Sequence, residues 1–167
     1  MNRKVAIYTV LVAASIGLWL FMHSETAQIR RMFSLMERIA RREHAEPVLE
    51  SMARAQTLAG FFKDGCSFIA PEFGARQSVS REGIAGAAMN LRTGAKDIVI
   101  RFRELDIKVT GTQAHVKAWM DVAGTGAESF PFPLHPRKFV AELEKMDGKW
   151  LVSRVEIPQS QDKESSL

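Results

Sequence analysis

The chain holds a single cysteine, Cys66, which excludes an internal disulfide framework and any cysteine-cluster metal site. Its setting, GCSFIA, is that of a buried, inert thiol. The four histidines, His23, His44, His115 and His135, lack the spacing that gathers metal ligands, so neither metal nor cofactor is expected. Tyrosine is nearly absent too, and the only one, Tyr8, lies in an apolar run. Long runs of one charge sign are missing. The net charge is +4, but Arg3 and Lys4 supply part of it, leaving 21 basic against 19 acidic residues in the rest. That balance is no nucleic-acid signature, and no nucleic-acid partner is expected. There are no internal repeats.

What the chain does have is one long hydrophobic run, Val5–Met22, with 18 uncharged residues. As a helix rising about 1.5 Å per residue, it reaches roughly 27 Å, close to the ~30 Å hydrocarbon layer of a bilayer. We read residues 5–22 as a transmembrane signal-anchor helix behind a short tail, residues 1–4. A cleaved signal peptide is the competing reading, because Asn2-Arg3-Lys4 gives it a charged start. Such apolar regions usually span about 7–15 residues and end in a small-x-small site. Here the run is longer and ends in bulky Leu18-Trp19-Leu20-Phe21-Met22. A buried soluble helix is the third alternative. Orientation follows from flanking charge. Arg30, Arg31, Arg38, Arg41 and Arg42 follow the run, yet His23–Ile29 holds no Lys or Arg. A flat count places the following domain in the cytoplasm. Weighting by closeness reverses this and expects it on the periplasmic, extracytoplasmic side of the inner membrane.

Residues 23–157 read as one α+β domain and residues 158–167 as a disordered tail. After the polar hinge His23–Thr26, Ile29, Met32, Phe33, Met36, Ile39 and Ala40 recur at the spacing of one helix face. Its arginines lie mostly elsewhere, either as a solvated face or as a surface for anionic headgroups. A second helix is expected with Glu46 capping and Pro47 in the first turn. Its stripe is Val48, Met52, Ala55, Ala59 and Phe62, widened by Leu49, Leu58 and Phe61, and Lys63-Asp64-Gly65 stops it. A short strand, Cys66–Ala70, ends at Pro71, and a loop covers Glu72–Val79. Ser80 caps a third, small-residue helix, Arg81–Arg92.

From Asp97 the period becomes two. Ile98, Ile100 and Phe102 alternate, then the apolar phase slips to Leu105, Ile107 and Val109, which predicts a β-bulge near Arg103-Glu104. Gly111 turns the chain into Ala114, Val116, Ala118, Met120 and Val122. A connection, Ala123–Pro136, leads to a strand over Arg137–Met146. Asp147-Gly148 makes a two-residue hairpin turn into Lys149–Ile157. Three helices over a curved, mainly antiparallel sheet make a cone with an apolar interior.

This order, and the stretches LAGFFKDGCSFIAPEFG and SREGIAGAAMNL, resemble the nuclear-transport-factor-2-like (NTF2-like, SnoaL-like) superfamily, which includes SnoaL-type cyclases and ketosteroid isomerases. Phe62-Lys63-Asp64 is similar to its ending of the second helix, Phe68 and Pro71 to its strand-end motif, and Ser80-Arg81-Glu82-Gly83-Ile84 to its opening of the third helix. The resemblance spans Glu25 to Ile157. It implies the cone fold behind the N-terminal anchor, and it argues against isomerase chemistry. The general-base Asp falls at Ala70, the oxyanion-hole acid falls near Phe139, and the phenolic donor has no counterpart. Proton abstraction needs a base within about 3 Å and a donor for the enolate.

Phe61, Phe68, Met89, Phe102, Met120, Phe139 and Trp150 are candidates to line a pocket for a small apolar ligand, or else plain core. His115, Lys117, Trp119 and Asp121 share the opposite strand face and are the interface candidates, with Trp119 its most telling residue. The superfamily resemblance implies that this outer face makes homodimers. The alternative is that the Ala123–Pro136 connection, with Phe130-Pro131-Phe132-Pro133, covers Trp119. His115 could pair with Glu104 or Asp106 across the sheet. Gly124-Thr125-Gly126 reads as a loop glycine pair. The expected function is a membrane-anchored, non-catalytic binding or assembly module, with no catalytic residue assigned. A membrane-tethered SnoaL-type enzyme acting on a small apolar substrate is the alternative.

Overall fold

The computed structural model describes residues 24–42, 46–95, 97–125 and 136–158. Val5–Met22, His23, Phe130–Pro133 and the tail after Pro158 lie outside them. Among the described residues no helix is long and apolar enough to cross a membrane.

Helix α1 (Glu25–Ala40) opens where the Ser24 hydroxyl accepts the Ala27 N–H at 3.2 Å. The apolar spacing is realised in its packing, with Ile29, Met32, Phe33, Met36 and Ala40 all buried. Phe33 and Ile29 are among the most deeply buried large side chains, each contributing about 1.5–3 kcal/mol of transfer free energy.

Helix α2 (Val48–Ala59) departs from its expected stripe. Ser51, Ala55 and Ala59 face inward, whereas Val48, Leu49 and Met52 are 67%, 77% and 46% exposed. Small residues four apart bring α2 close to helix α3 (Arg81–Gly94), and that close approach sets which face turns inward. Glu46 does not cap, since no side-chain bond closes the first turn and its carboxylate goes to Arg92 instead. The helix ends at Ala59 with Gly60 as its C-cap, and Phe62 already begins strand β1 (Phe62–Ala70), so Lys63-Asp64-Gly65 is strand.

Strand β2 (Ala75–Val79) replaces the expected loop. It follows a 3-10 turn, Pro71–Phe73, and pairs antiparallel with β1 from Cys66↔Val79 to Ala70↔Ala75. Its period is invisible in sequence because an edge strand buries so little: only its two ends are half-buried. Ser80 then caps α3, accepting the Gly83 N–H at 3.1 Å as anticipated.

Strands β3 (Asp97–Thr110) and β4 (Gln113–Thr125) form the longest hairpin. Their register slips between Arg103 and Asp106, where Glu104 takes φ 56°, so the bulge falls where the apolar phase shifts. Strand β4 runs past Ala123, correcting the loop expected there. Gly124 pairs with Ile98, and a β-carbon on it would lie 2.5 Å from the Asp97 carbonyl oxygen. That glycine permits the two strands to approach. Strands β5 (Arg137–Met146) and β6 (Lys149–Glu156) join through Asp147-Gly148, both at positive φ as a type I′ turn requires.

The sheet order is β2-β1-β6-β5-β4-β3, antiparallel except for the β1–β6 pair. It is therefore a six-stranded mixed sheet rather than four long strands with one short addition. The core lies between sheet and helices, where Ile29, Phe33, Val116, Leu143 and Val152 meet.

Candidate functional site

Three of the interior rings meet one another, and each comes from a different element. Phe33 of α1 meets Phe102 of β3 edge-on at 5.1 Å and Phe139 of β5 at 6.1 Å, while Phe102 and Phe139 stand 5.0 Å apart. Edge-to-face contacts of this kind add about 0.5–1.5 kcal/mol each beyond burial. Of the pocket candidates, Phe139 and Trp150 are buried in the core, and Phe61, Phe68, Phe102 and Met120 pack half-buried against it. Phe68 stacks at a tilt 6.0 Å from Phe62. Met89, half-buried on α3, stands outside this cluster. Ala70, where the resemblance puts the general base, is buried at the end of β1.

Trp150 has a different task. Its indole N–H donates to Glu25 at 2.6 Å, and the Lys145 ammonium reaches the same carboxylate at 2.5 Å while lying 5.8 Å from the ring centroid. The Lys145 hydrogen bond, then that of Trp150, hold the Glu25 carboxyl below its ordinary value against a burial penalty. The start of α1 is thereby tied to the β5–β6 hairpin. Glu37 faces inward, its carboxylate accepting the Phe102 N–H at 2.5 Å.

Arg92 escaped the sequence reading. It is 3% exposed and donates to the Ile39 and Ala40 carbonyls at 3.0 Å and to Glu46 at 2.5 Å. Ser51 donates to the same carboxylate at 3.3 Å. The signal was present, since Ile84, Ala88 and Arg92 stand four apart on the buried face of α3. Glu37, four residues after Phe33, carried the same kind of signal.

The outer sheet face collects the interface candidates. His115, Lys117, Trp119 and Asp121 follow one another along β4. Trp119 sits between Arg103 of β3 and Lys138 of β5, with the Lys138 ammonium 5.8 Å from its ring centroid. Asp121 is already engaged by Arg103 at 2.6 Å and 2.9 Å. His115 stands opposite Lys108 and Glu142, and not opposite Glu104 or Asp106, because the tight turn at Gly111-Thr112 fixes the register from Thr110↔Gln113 onward. Lys117 faces Asp106 and Val140. Beyond Glu142 the face deepens into a polar cleft of about 480 Å³, walled by Lys63, Ser67, Arg76, Glu144 and Arg154. Lys63 pairs there with Glu144 at 2.7 Å, and Arg154 with Glu156 at 2.9 Å. Among the described residues no three of His, Cys, Asp and Glu are grouped to hold a metal.

No protein-family model matches the chain, and no curated protein matches it. Solved structures do. A scytalone dehydratase-like protein of Novosphingobium aromaticivorans superposes with a TM-score of 0.63 at 18% identity, over 82% of this chain and 85% of that one. An NTF2-like protein with a cystatin-like fold from the same organism gives 0.61 at 14% identity, over 92% and 90%. A hexachlorocyclohexane dehydrochlorinase of Novosphingobium barchaimii gives 0.58 at 17% identity, over 80% and 84%. At such identities the likeness speaks of fold alone. The chain has the NTF2-like fold, three helices on a curved mixed sheet.

Proposed function

We propose that the chain is a membrane-tethered, non-catalytic binding or assembly module. In this reading Val5–Met22 is the tether and the domain stands on the extracytoplasmic side. The outer face of the sheet, around Trp119, receives a second copy or a protein partner. The observation that carries the reading is the Phe33–Phe102–Phe139 cluster, which places packed rings at the centre of the cone. Glu37, the carboxylate beside it, accepts the Phe102 N–H through one oxygen.

Meanwhile the outer face offers Trp119, a residue type enriched in contact patches, beside Arg103 and Lys138. Two of the similar structures bear enzyme names, a scytalone dehydratase-like protein and a dehydrochlorinase, and they sustain the alternative of a tethered enzyme with a small apolar substrate.

A photo-crosslinking residue at Trp119 in the full chain, expressed in membranes, tests the assembly reading. An adduct at position 119 that is absent when the probe sits at Lys149 is the expected outcome. No adduct, together with substrate turnover abolished by Glu37→Gln, would install the enzyme instead. A reporter fused after Leu167 tests sidedness, and a cytoplasmic signal would overturn the extracytoplasmic placement.

A further inference from the structure

We propose that the outward face of α1 is a contact surface for anionic phospholipid headgroups, holding that helix along the bilayer. Arg30, Arg31 and Arg38 are exposed on it, and none forms an ion pair with a described residue. Elsewhere Arg54, Arg92, Arg103 and Arg154 each meet a carboxylate. The contrast arises because α1 has two acids and both are drawn away. Glu25 is held by Lys145 and Trp150, and Glu37 by the Phe102 N–H. What remains on the outward side is cationic, with Ser34 and Leu35 between the arginines.

Arg31, Ser34, Leu35 and Arg38 repeat at the spacing of one helix face, with Arg30 beside them. From Arg30 to Arg38 is roughly 12 Å of helix, close to one Debye length, so the three charges act on a surface together. A guanidinium fork matches phosphate oxygens in pairs. The bilayer is the occupant because α1 begins three residues after Met22, where the apolar run ends. That step rests on the tether reading. The buried face of the same helix is fully used by the core, so contact with lipid requires no refolding.

The test places an environment-sensitive label at Ser34→Cys in the full chain, reconstituted in vesicles of phosphatidylcholine alone or mixed with phosphatidylglycerol. Label protection from an aqueous quencher should rise several-fold in the anionic vesicles and fall back in high salt. Replacing Arg30, Arg31 and Arg38 with Glu should abolish the rise, and replacing them with Lys should keep most of it. Equal protection in both lipids, or a rise that survives the Glu variant, overturns the proposal. An alkaline wash decides the tether separately. If it strips the chain, the tether reading fails. Flotation of the unwashed chain with anionic but not neutral vesicles then upholds the headgroup contact, and flotation with neither refutes it.

Discussion

The guanidinium of Arg92 and the carboxylate of Glu46 meet at 2.5 Å, although 46 residues of chain separate them. The same guanidinium holds the last carbonyls of α1, so one side chain on α3 ties the end of α1 to the entry of α2. A cation there also faces the negative end of the α1 dipole. Removing one partner of a buried pair strands the other, at about 3–5 kcal/mol. Arg92→Ala should lower the unfolding free energy from urea titration by an amount in that range, and Arg92→Lys should recover only part, lacking the fork. A midpoint within error of wild type would deny the junction its role.

Acid should loosen the same junction. Burial pushes the Glu46 carboxyl up, but the hydrogen bond and charge of Arg92, with Arg54 and Ser51, bring it below its usual 4.5. Glu25 is lowered as well, by Lys145 first. A carboxyl depressed in the folded state contributes its stability in full above the unfolded value, and loses it as pH falls through the folded one. Unfolding free energy should therefore drop from about pH 5 downward. Glu46→Gln should flatten that slope while costing stability at neutral pH. An unchanged slope would remove Glu46 from the linkage.

Cys66 should be silent until the fold opens. It is fully buried, and burial pushes its thiol up to about 11. At pH 8 only roughly one thiol in a thousand is then ionised, and access is blocked besides. Iodoacetamide should leave the native chain unmodified and alkylate it fully in urea, as read by mass. Rapid native labelling would contradict the burial.

Two backbone positions on the β3–β4 hairpin should respond in opposite senses. Gly124→Ala forces a β-carbon against the Asp97 carbonyl and should cost about 1–3 kcal/mol. Glu104 holds a left-handed φ that glycine adopts freely, so Glu104→Gly should be neutral or stabilising by up to about 1 kcal/mol. Thermal midpoints of the two variants decide both statements.

The parts of this fold that a sequence displays are those whose burial repeats. Ile29 through Ala40, the phase slip at Glu104 and the Asp147-Gly148 turn each carry a local signature, and each stands where that signature placed it. Strand β2 was hidden because its pairing with β1 depends on backbone bonds rather than apolar side chains. Val48, Leu49 and Met52 misled for the reverse reason. They are apolar and helical, yet the small residues Ser51, Ala55 and Ala59 decide which side of α2 packs. On the outer face, Trp119 was legible from alternation alone. The partners of His115 were not, since they depend on where the turn at Gly111-Thr112 closes the pairing, at Thr110↔Gln113.

The parallel pairing of β1 with β6 sets a timetable for synthesis. Strand β6 lies between β1 and β5, so the last of the described strands to be made completes the middle of the sheet. Until it leaves the ribosome, β1 has only the short edge strand β2 beside it. Such long-range pairing slows folding, because the loop-closure entropy comes due before the contacts that offset it. A nascent chain stopped before Lys149 should expose Val116 and Leu143 and attract chaperones. Release of the eight residues of β6 would then be the moment at which the domain can close.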